Sequence, residues 1–289
     1  MNIGIIGLGL IGGSLGLDLR SHGHHVIGVS RRQSTCETAM TRGCVDCAST
    51  HLSSLTTVEV VFVCTPLGLI IPTVTELITF LPKTTVITDV GSVKTPIVQA
   101  ITPHWQNFIG GHPMAGTAET GIDAAIPALF VNRPYVLTPT STTPESATAT
   151  IAGIIQQLKS QIYYCQPQEH DQAVSWISHL PVMVSAALIS ACSQERDRHI
   201  LNLAQNLAST GFRDTSRVGG GNPELGRMMA EHNQEALLNS LHQYRHHLDE
   251  LINLIETKNW QKLQQKLQST QQERSHFVKE KYRRRGGIE

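Results

Sequence analysis

The chain has 289 residues, a length that suits about two domains. Its 23 Lys+Arg balance 23 Asp+Glu, which excludes the charge excess of a nucleic-acid or anionic-membrane binder. Apolar residues make up 40% and charged residues 16%, the balance of a globular chain with a core. No apolar run is read as long enough to cross a membrane, and the first residues already form a strand, so a cytoplasmic protein is expected. The six cysteines are scattered. Cys44 and Cys47 form a C-x-x-C, but the second pair or spaced histidines of a zinc site are missing, so no metal is expected.

Asn2 to Ile6 is a short apolar run that reads as a buried strand. It is followed by Gly7-Leu8-Gly9-Leu10-Ile11-Gly12 and then a helical stretch from Ser14. Strand, Gly-x-Gly-x-x-Gly and helix in this order form the dinucleotide fingerprint. Gly7 allows the tight turn, Gly9 lets the backbone approach a pyrophosphate, and Gly12 lets the helix pack against the strand. The helix start, with Leu10 and Ile11, offers free N–H groups to phosphate. His25 to Val29 reads as the second strand. An acidic residue usually ends this strand and binds the ribose hydroxyls. Here Ser30, Arg31 and Arg32 stand at its end. A hydroxyl and two guanidiniums suit a 2′-phosphate, so NADP is expected over NAD.

Further strands are read at Val58–Cys64, Thr85–Val90, Phe108–His112, Arg133–Leu137 and Gln161–Cys165, with helices near 69–81, from Pro96, and over Glu145–Lys159. Thr65-Pro66, Ser92 and His112 stand at or just past strand ends, where ligands bind in doubly wound sheets. Thr65 and Pro66 are assigned to the cofactor. From Gln168 the pattern turns helical. An apolar stripe over Ala173–Glu195 is broken at His179-Leu180-Pro181, the stretch Arg213–Pro223 reads as a charged loop, and one or two long helices follow. Leu237, Leu241, Leu248, Leu251, Ile255, Leu263 and Leu267 recur at helical spacing, more apolar face than a thin domain hides, which points to a homodimer through these helices. The expected architecture is an N-terminal Rossmann-type doubly wound sheet over residues 1–165, then an all-helical C-terminal dimerisation domain over 166–289 that also serves the substrate. No appended regulatory domain is expected. The basic stretch Lys279–Arg285 reads as a solvated helix end.

Residues alone describe an NADP-dependent oxidoreductase acting on a small molecule, with His112 as candidate base. The motifs say more. Gly7–Ser14, Thr88-Asp89-Val90-Gly91-Ser92-Val93-Lys94, Gly111-His112-Pro113-Met114-Ala115-Gly116, Ser178-His179-Leu180-Pro181 and Phe212-Arg213-Asp214-Thr215-Ser216-Arg217 resemble the prephenate/arogenate dehydrogenase family of tyrosine biosynthesis. Ser30-Arg31-Arg32 is similar to the cyanobacterial and plant arogenate branch. The resemblance implies oxidative decarboxylation of a cyclohexadienol: hydride leaves the carbinol carbon, and loss of CO₂ makes the ring aromatic. It implies that His112 accepts the hydroxyl proton and that Ser92 bonds the hydroxyl or orients the histidine. It further implies that Arg217 grips a substrate carboxylate, that His179 lies beside the substrate, and that Arg213 supports the acidic ligand.

Two other classes remain open on residues alone. A β-hydroxyacid reductase would rely on a lysine in a Gly-x-x-Gly-x-x-x-Lys helix, which is not found, and gives His112 no role. A non-catalytic NADP sensor would keep the fingerprint and Ser30-Arg31-Arg32 without needing His112, Ser92 and Arg217 together.

Overall fold

The computed structural model describes residues 1–117 and 119–278. It divides into two compact units, Met1–Leu237 and Leu238 onward.

The first unit is built on an eight-stranded sheet in the order β3-β2-β1-β4-β5-β6-β7-β8. The strands are β1 (Asn2–Ile6), β2 (His25–Val29), β3 (Cys47–Ser49), β4 (Val60–Val63), β5 (Val86–Asp89), β6 (Phe108–Pro113), β7 (Pro134–Thr138) and β8 (Gln161–Tyr164). Pairing is parallel except between β6 and β7, where Gly110 faces Thr138 and His112 faces Val136. β4 reads Val-Val-Phe-Val and is buried on both sides, the continuous apolar run of a strand covered on both faces. Helices α1 (Leu10–Ser21), α2 (Gln33–Thr41) and α5 (Glu145–Gln157) cover one face, where Leu15, Leu19, Ala39, Ile151 and Ile155 pack together. Helices α3 (Leu67–Leu77) and α4 (Thr95–Ile101) cover the other through Leu67, Ile70, Val74, Ile97 and Val98.

The sheet order reverses at β1, whose neighbours are β2 and β4. That switch point leaves a crevice beyond the carboxyl ends of the strands, and the functional residues gather there. The sequence reading missed α2 and β3. Gln33–Thr41 lacks a strong apolar period, and β3 has only three residues at the sheet edge.

After β8 the chain is helical: α6 (Pro167–Val174), a π-type turn at Ser175–His179, α7 (Leu180–Ser193), α8 (Arg198–Leu207), α9 (Thr210–Ser216), α10 (Pro223–His232), α11 (Gln234–Glu256) and α12 (Trp260–Phe277). Two readings are corrected here. The charged stretch from Arg213 is helical up to Ser216, as the end of α9. The break at His179–Pro181 does not end the helix. Pro181 lies two residues past the π-type turn, and Pro167–Ser193 runs through as one helical stretch. That stretch is long and apolar enough to cross a membrane by length and composition, contrary to the sequence reading. One side of it, with His170, Asp171, Ser175 and His179, is buried against the rest of the first unit. In the second unit, Glu250 of α11 accepts from Lys266 of α12 and from His247 at 3.0 Å. The Lys279–Arg285 stretch lies outside the described residues.

Close packing of α1 shows how tight this scaffold is. A Cβ on Gly16 would lie 2.1 Å from the Cys44 carbonyl oxygen, a backbone atom that no rotamer change can move. Alanine normally gains about 1 kcal/mol over glycine inside a helix, but overpacking costs typically 1–3 kcal/mol. The overlap should win: Gly16→Ala is expected to lower the stability measured by urea unfolding. A stabilised variant would overturn this packing account.

Candidate active site

The turn from β1 into α1 is built as the fingerprint requires. Gly7 has φ +93°, and a Cβ there would meet the Cys64 carbonyl oxygen at 2.5 Å. A Cβ on Gly12 would lie 2.1 Å from the Gly7 carbonyl oxygen, so this glycine sets the contact of helix with turn. At Gly9 a Cβ would meet nothing within 4 Å. Gly9 is also the N-cap of α1 and supplies no side-chain cap, which leaves the first N–H groups of the helix for an external acceptor.

Gly7, Gly9, Leu10 and Ile11 line a cavity of about 1050 Å³. At one end stand Ser30, Arg31 and Arg32, joined by Thr35 and His51. Neither arginine has an ion-pair partner among the described residues, and no carboxylate ends β2. Thr65, Pro66, Ser92 and His112 line the same cavity, so the structure brings these four together. The Thr65 hydroxyl oxygen is buried without a hydrogen-bond partner. An open Gly9, an uncapped helix start and an orphaned hydroxyl fit a dinucleotide laid along the strand ends.

Beneath His112 lies a polar network that sequence reading did not find. His112 Nδ1 is 2.8 Å from His170 Nε2, and His170 Nδ1 is 2.8 Å from Asp171 Oδ1. Asp171 also accepts the Lys94 N–H and the Thr95 N–H, both at 2.7 Å. The N-cap of α4 is therefore Lys94, held by a distant carboxylate, and Ser92 is not the cap. The Lys94 side chain is fully buried. It donates to Asp89 and, at 2.8 Å, to the Gly111 carbonyl oxygen. Asp89 in turn accepts Gly91 N–H at 2.8 Å and Gly111 N–H at 3.2 Å. This ion pair pins the β6 backbone immediately before His112. Burial, with His170, Lys94 and His179 adding to it, holds the His112 imidazole well below its ordinary value. It is thus neutral at physiological pH and able to accept a proton.

Three expected site residues lie elsewhere. Arg213 and Arg217 do not line the cavity. α9 buries none of its residues, Arg213 pairs with Asp214 at the surface, and Arg217 caps the helix with its side chain exposed. His179 is completely buried and does not line the cavity, although its neighbour Ser178 does. The π-type turn rotates His179 inward, where its Nδ1 lies 3.1 Å from Asn233 Nδ2. The amide N–H donates, so the His179 proton sits on Nε2, which has no partner. Asn233 also donates to the Asp171 carbonyl oxygen at 2.9 Å.

The comparisons with known proteins bear on the same regions. Residues 15–164 match the prephenate dehydrogenase nucleotide-binding domain, and residues 166–269 match the prephenate dehydrogenase dimerization domain. The chain belongs to the prephenate dehydrogenase family. The crystal structure of Synechocystis arogenate dehydrogenase is 58% identical, with a TM-score of 0.88, covering 96% of this chain and all of that one. The prephenate dehydrogenase of Bacillus subtilis is 29% identical over 266 residues, 90% of this chain and 71% of that protein. The A. aeolicus prephenate dehydrogenase structure, in complex with hydroxyphenyl propionate and NAD+, is 24% identical at a TM-score of 0.91, over 96% of this chain and 98% of that one, and speaks to the fold. As a prephenate dehydrogenase family member the chain is an oxidoreductase with a nucleotide-binding domain at its N-terminal side.

Of the residues missed in sequence, His170, Asp171 and Asn233 carried only a weak signal. A His-Asp pair at the start of a helix is commonplace, and Asn233 stands 54 positions from its histidine partner. Lys94 was visible as the end of the Thr88–Lys94 motif but not as a buried cation.

The buried histidines make stability depend on pH. Burial lowers the His179 pKa from 6.5 to about 4, with Asp171 opposing and His170 adding to the shift. An unfolded chain binds this proton near pH 6.5 while the folded one stays neutral. Stability is therefore unaffected above that pH and falls as pH drops toward 4, by up to about 3 kcal/mol. Urea unfolding at pH 7 and pH 4.5 should show a smaller loss in His179→Gln than in the parent. Equal losses would rule out this contribution.

Proposed function

We propose that the chain is an NADP-dependent arogenate dehydrogenase that converts L-arogenate to L-tyrosine by oxidative decarboxylation. The observation that carries this reading is one cavity holding both a phosphate-accepting glycine turn with Ser30-Arg31-Arg32 and a neutral, hydrogen-bonded His112. The 58% identity to an arogenate dehydrogenase supports arogenate as substrate. Prephenate dehydrogenase activity is the second reading, supported by the Bacillus subtilis relative.

In this reading Gly7, Gly9 and the start of α1 cradle the pyrophosphate, Gly12 keeps the helix close, and Thr65 and Pro66 hold the cofactor at the strand ends. Ser30, Arg31 and Arg32 bind the 2′-phosphate. When bound, NADP supplies the hydride acceptor that oxidises the substrate carbinol. His112 accepts the hydroxyl proton as the carbinol becomes a carbonyl, and Ser92 bonds the same hydroxyl or orients the histidine. Loss of the ring carboxylate as CO₂ then leaves an aromatic phenolate, which takes the proton back from His112. Arg217 is kept as the partner of a substrate carboxylate and Arg213 as its electrostatic support, on the motif alone. His179 acts from behind the cavity wall rather than by contact. The dimerization-domain match and the exposed Leu248, Ile252, Ile255, Trp260 and Leu267 support a homodimer through the C-terminal helices. A reducing cytoplasm is the compartment proposed for it.

Turnover of arogenate and prephenate with NADP and with NAD tests the assignment. Arg31→Ala should lose roughly 1.5–3 kcal/mol of charge-assisted phosphate binding, lowering the NADP-over-NAD ratio of kcat/KM about 10- to 100-fold. An unchanged ratio in Arg31→Ala and Arg32→Ala would remove the 2′-phosphate role.

For the base, the expected pH profile follows from the His112 environment. Because burial holds this ring well below 6.5, the rate should stay flat through neutrality and fall only at a more acid pH, where His112 gains a proton. His112→Asn should lose about 10²- to 10⁴-fold in kcat, keep much of its KM, and lose that acid limb. Near-parent kcat with the limb intact would mean that another residue is the base.

A further inference from the structure

We propose that His170 and Asp171 are positioning residues that hold His112 in its Nδ1–H tautomer, leaving Nε2 as the nitrogen that takes the substrate proton. This rests on the dehydrogenase reading of the same cavity, and it assigns roles to two residues outside the expected site.

Hydrogen-bond polarity carries the argument, starting from the fixed end. Asp171 Oδ1 accepts the Lys94 N–H at 2.7 Å, and Oδ2 accepts the Thr95 N–H at 2.7 Å. Backbone N–H groups can only donate, so both oxygens of Asp171 are acceptors. Burial opposes its ionisation, but the bonds from His170, Thr95 and Lys94 outweigh this and hold Asp171 below the usual carboxylate range. Asp171 is therefore a carboxylate, and His170 Nδ1, at 2.8 Å, must carry a proton. In a neutral imidazole protonated on Nδ1, the lone pair lies on Nε2. That lone pair faces His112 Nδ1 at 2.8 Å, so His112 is the donor there. A neutral His112 protonated on Nδ1 has its own lone pair on Nε2. This nitrogen makes no hydrogen bond among the described residues, and the ring lines the cavity.

The relay is also built to stay in place. Asp171 is tied to the α4 start by two bonds, and Asn233 holds its carbonyl oxygen at 2.9 Å. The His112 and His170 rings meet edge to face, with centroids 5.0 Å apart. His170 is buried, so water does not compete for the shared proton. The opposite polarity needs a doubly protonated His170 that donates to His112. It would put the His112 proton on Nε2, where the ring cannot accept another. Additional positive charge is disfavoured here, because the buried Lys94 already stands beside the His112 ring. The logic is that of a buried acid orienting a catalytic histidine, with a second histidine interposed.

The decisive experiment is ¹⁵N NMR of the full-length chain labelled on histidine, at pH 7. The ring signals of His112 are identified by their loss in His112→Asn. The proposal expects a protonated, pyrrole-like Nδ1 and a pyridine-like Nε2. The reverse pattern in the parent protein would overturn it, whether or not His170→Leu folds. In His170→Leu, His112 should drift toward the Nε2–H tautomer that free side chains favour. kcat should fall roughly 10- to 100-fold, with the KM for NADP unchanged. His170→Gln, whose amide can accept from His112 and donate to Asp171, should recover much of the rate. A His170→Leu variant with parent tautomer and parent kcat would also overturn the proposal. Failure to turn over arogenate and prephenate would defeat the dehydrogenase reading alone, since the parent spectrum reports the tautomer without substrate.

Discussion

The Asp171 carboxylate is the interaction on which the site depends. It caps α4, a short helix with no side-chain cap of its own, and it anchors the chain of rings that ends at His112. A buried carboxylate is costly unless its lone pairs are filled. Here two backbone N–H groups and a histidine ring fill them, so the cost becomes a constraint on geometry. The sheet presents His112 on β6, but the helical segment after β8 supplies what holds its ring. The two matched regions therefore meet at this carboxylate: residues 15–164 contribute His112 and the α4 start, while residues 166–269 contribute Asp171.

A buried charge pair works from the sheet side. Lys94 and Asp89 are both fully buried, and between them they bond the carbonyl and the N–H of Gly111. Such a pair adds little net stability compared with apolar packing, yet losing one partner typically costs 3–5 kcal/mol. Its value lies in placement. It fixes the backbone next to His112 and adds a positive field that helps keep the ring neutral. Burial does most of this work, and Lys94 extends it.

The cavity joins two chemically distinct ends on one row of strand termini. At the Gly7–Gly12 turn, steric limits from backbone oxygens force glycine at positions 7 and 12, and open space at position 9 leaves room for a ligand. Ser30, Arg31 and Arg32 stand at one end without a carboxylate, and Ser92 and His112 stand in the same wall. The arginines have no ion-pair partner among the described residues, so an anion need not displace one.

Local rules made the Rossmann-type half readable. Apolar runs, the glycine spacing and the placement of Thr65, Ser92 and His112 depend on short stretches whose meaning does not change with context. The motifs were enough to recognise the family, and the charge balance at Ser30–Arg32 was visible as soon as β2 was read. Tertiary structure decided the rest. Whether Pro181 breaks a helix depends on the turn it occupies, and whether Arg213 is in a loop depends on where α9 ends. His179 is expected beside a ligand from its motif, yet a π-type turn rotates it into the wall against Asn233. His170 and Asp171 acquire a role only when α6 packs 58 and 77 positions away from His112 and Lys94. Hydrogen bonds between such distant residues leave no periodic trace, because periodicity records which face is buried and not what polar groups meet once it is.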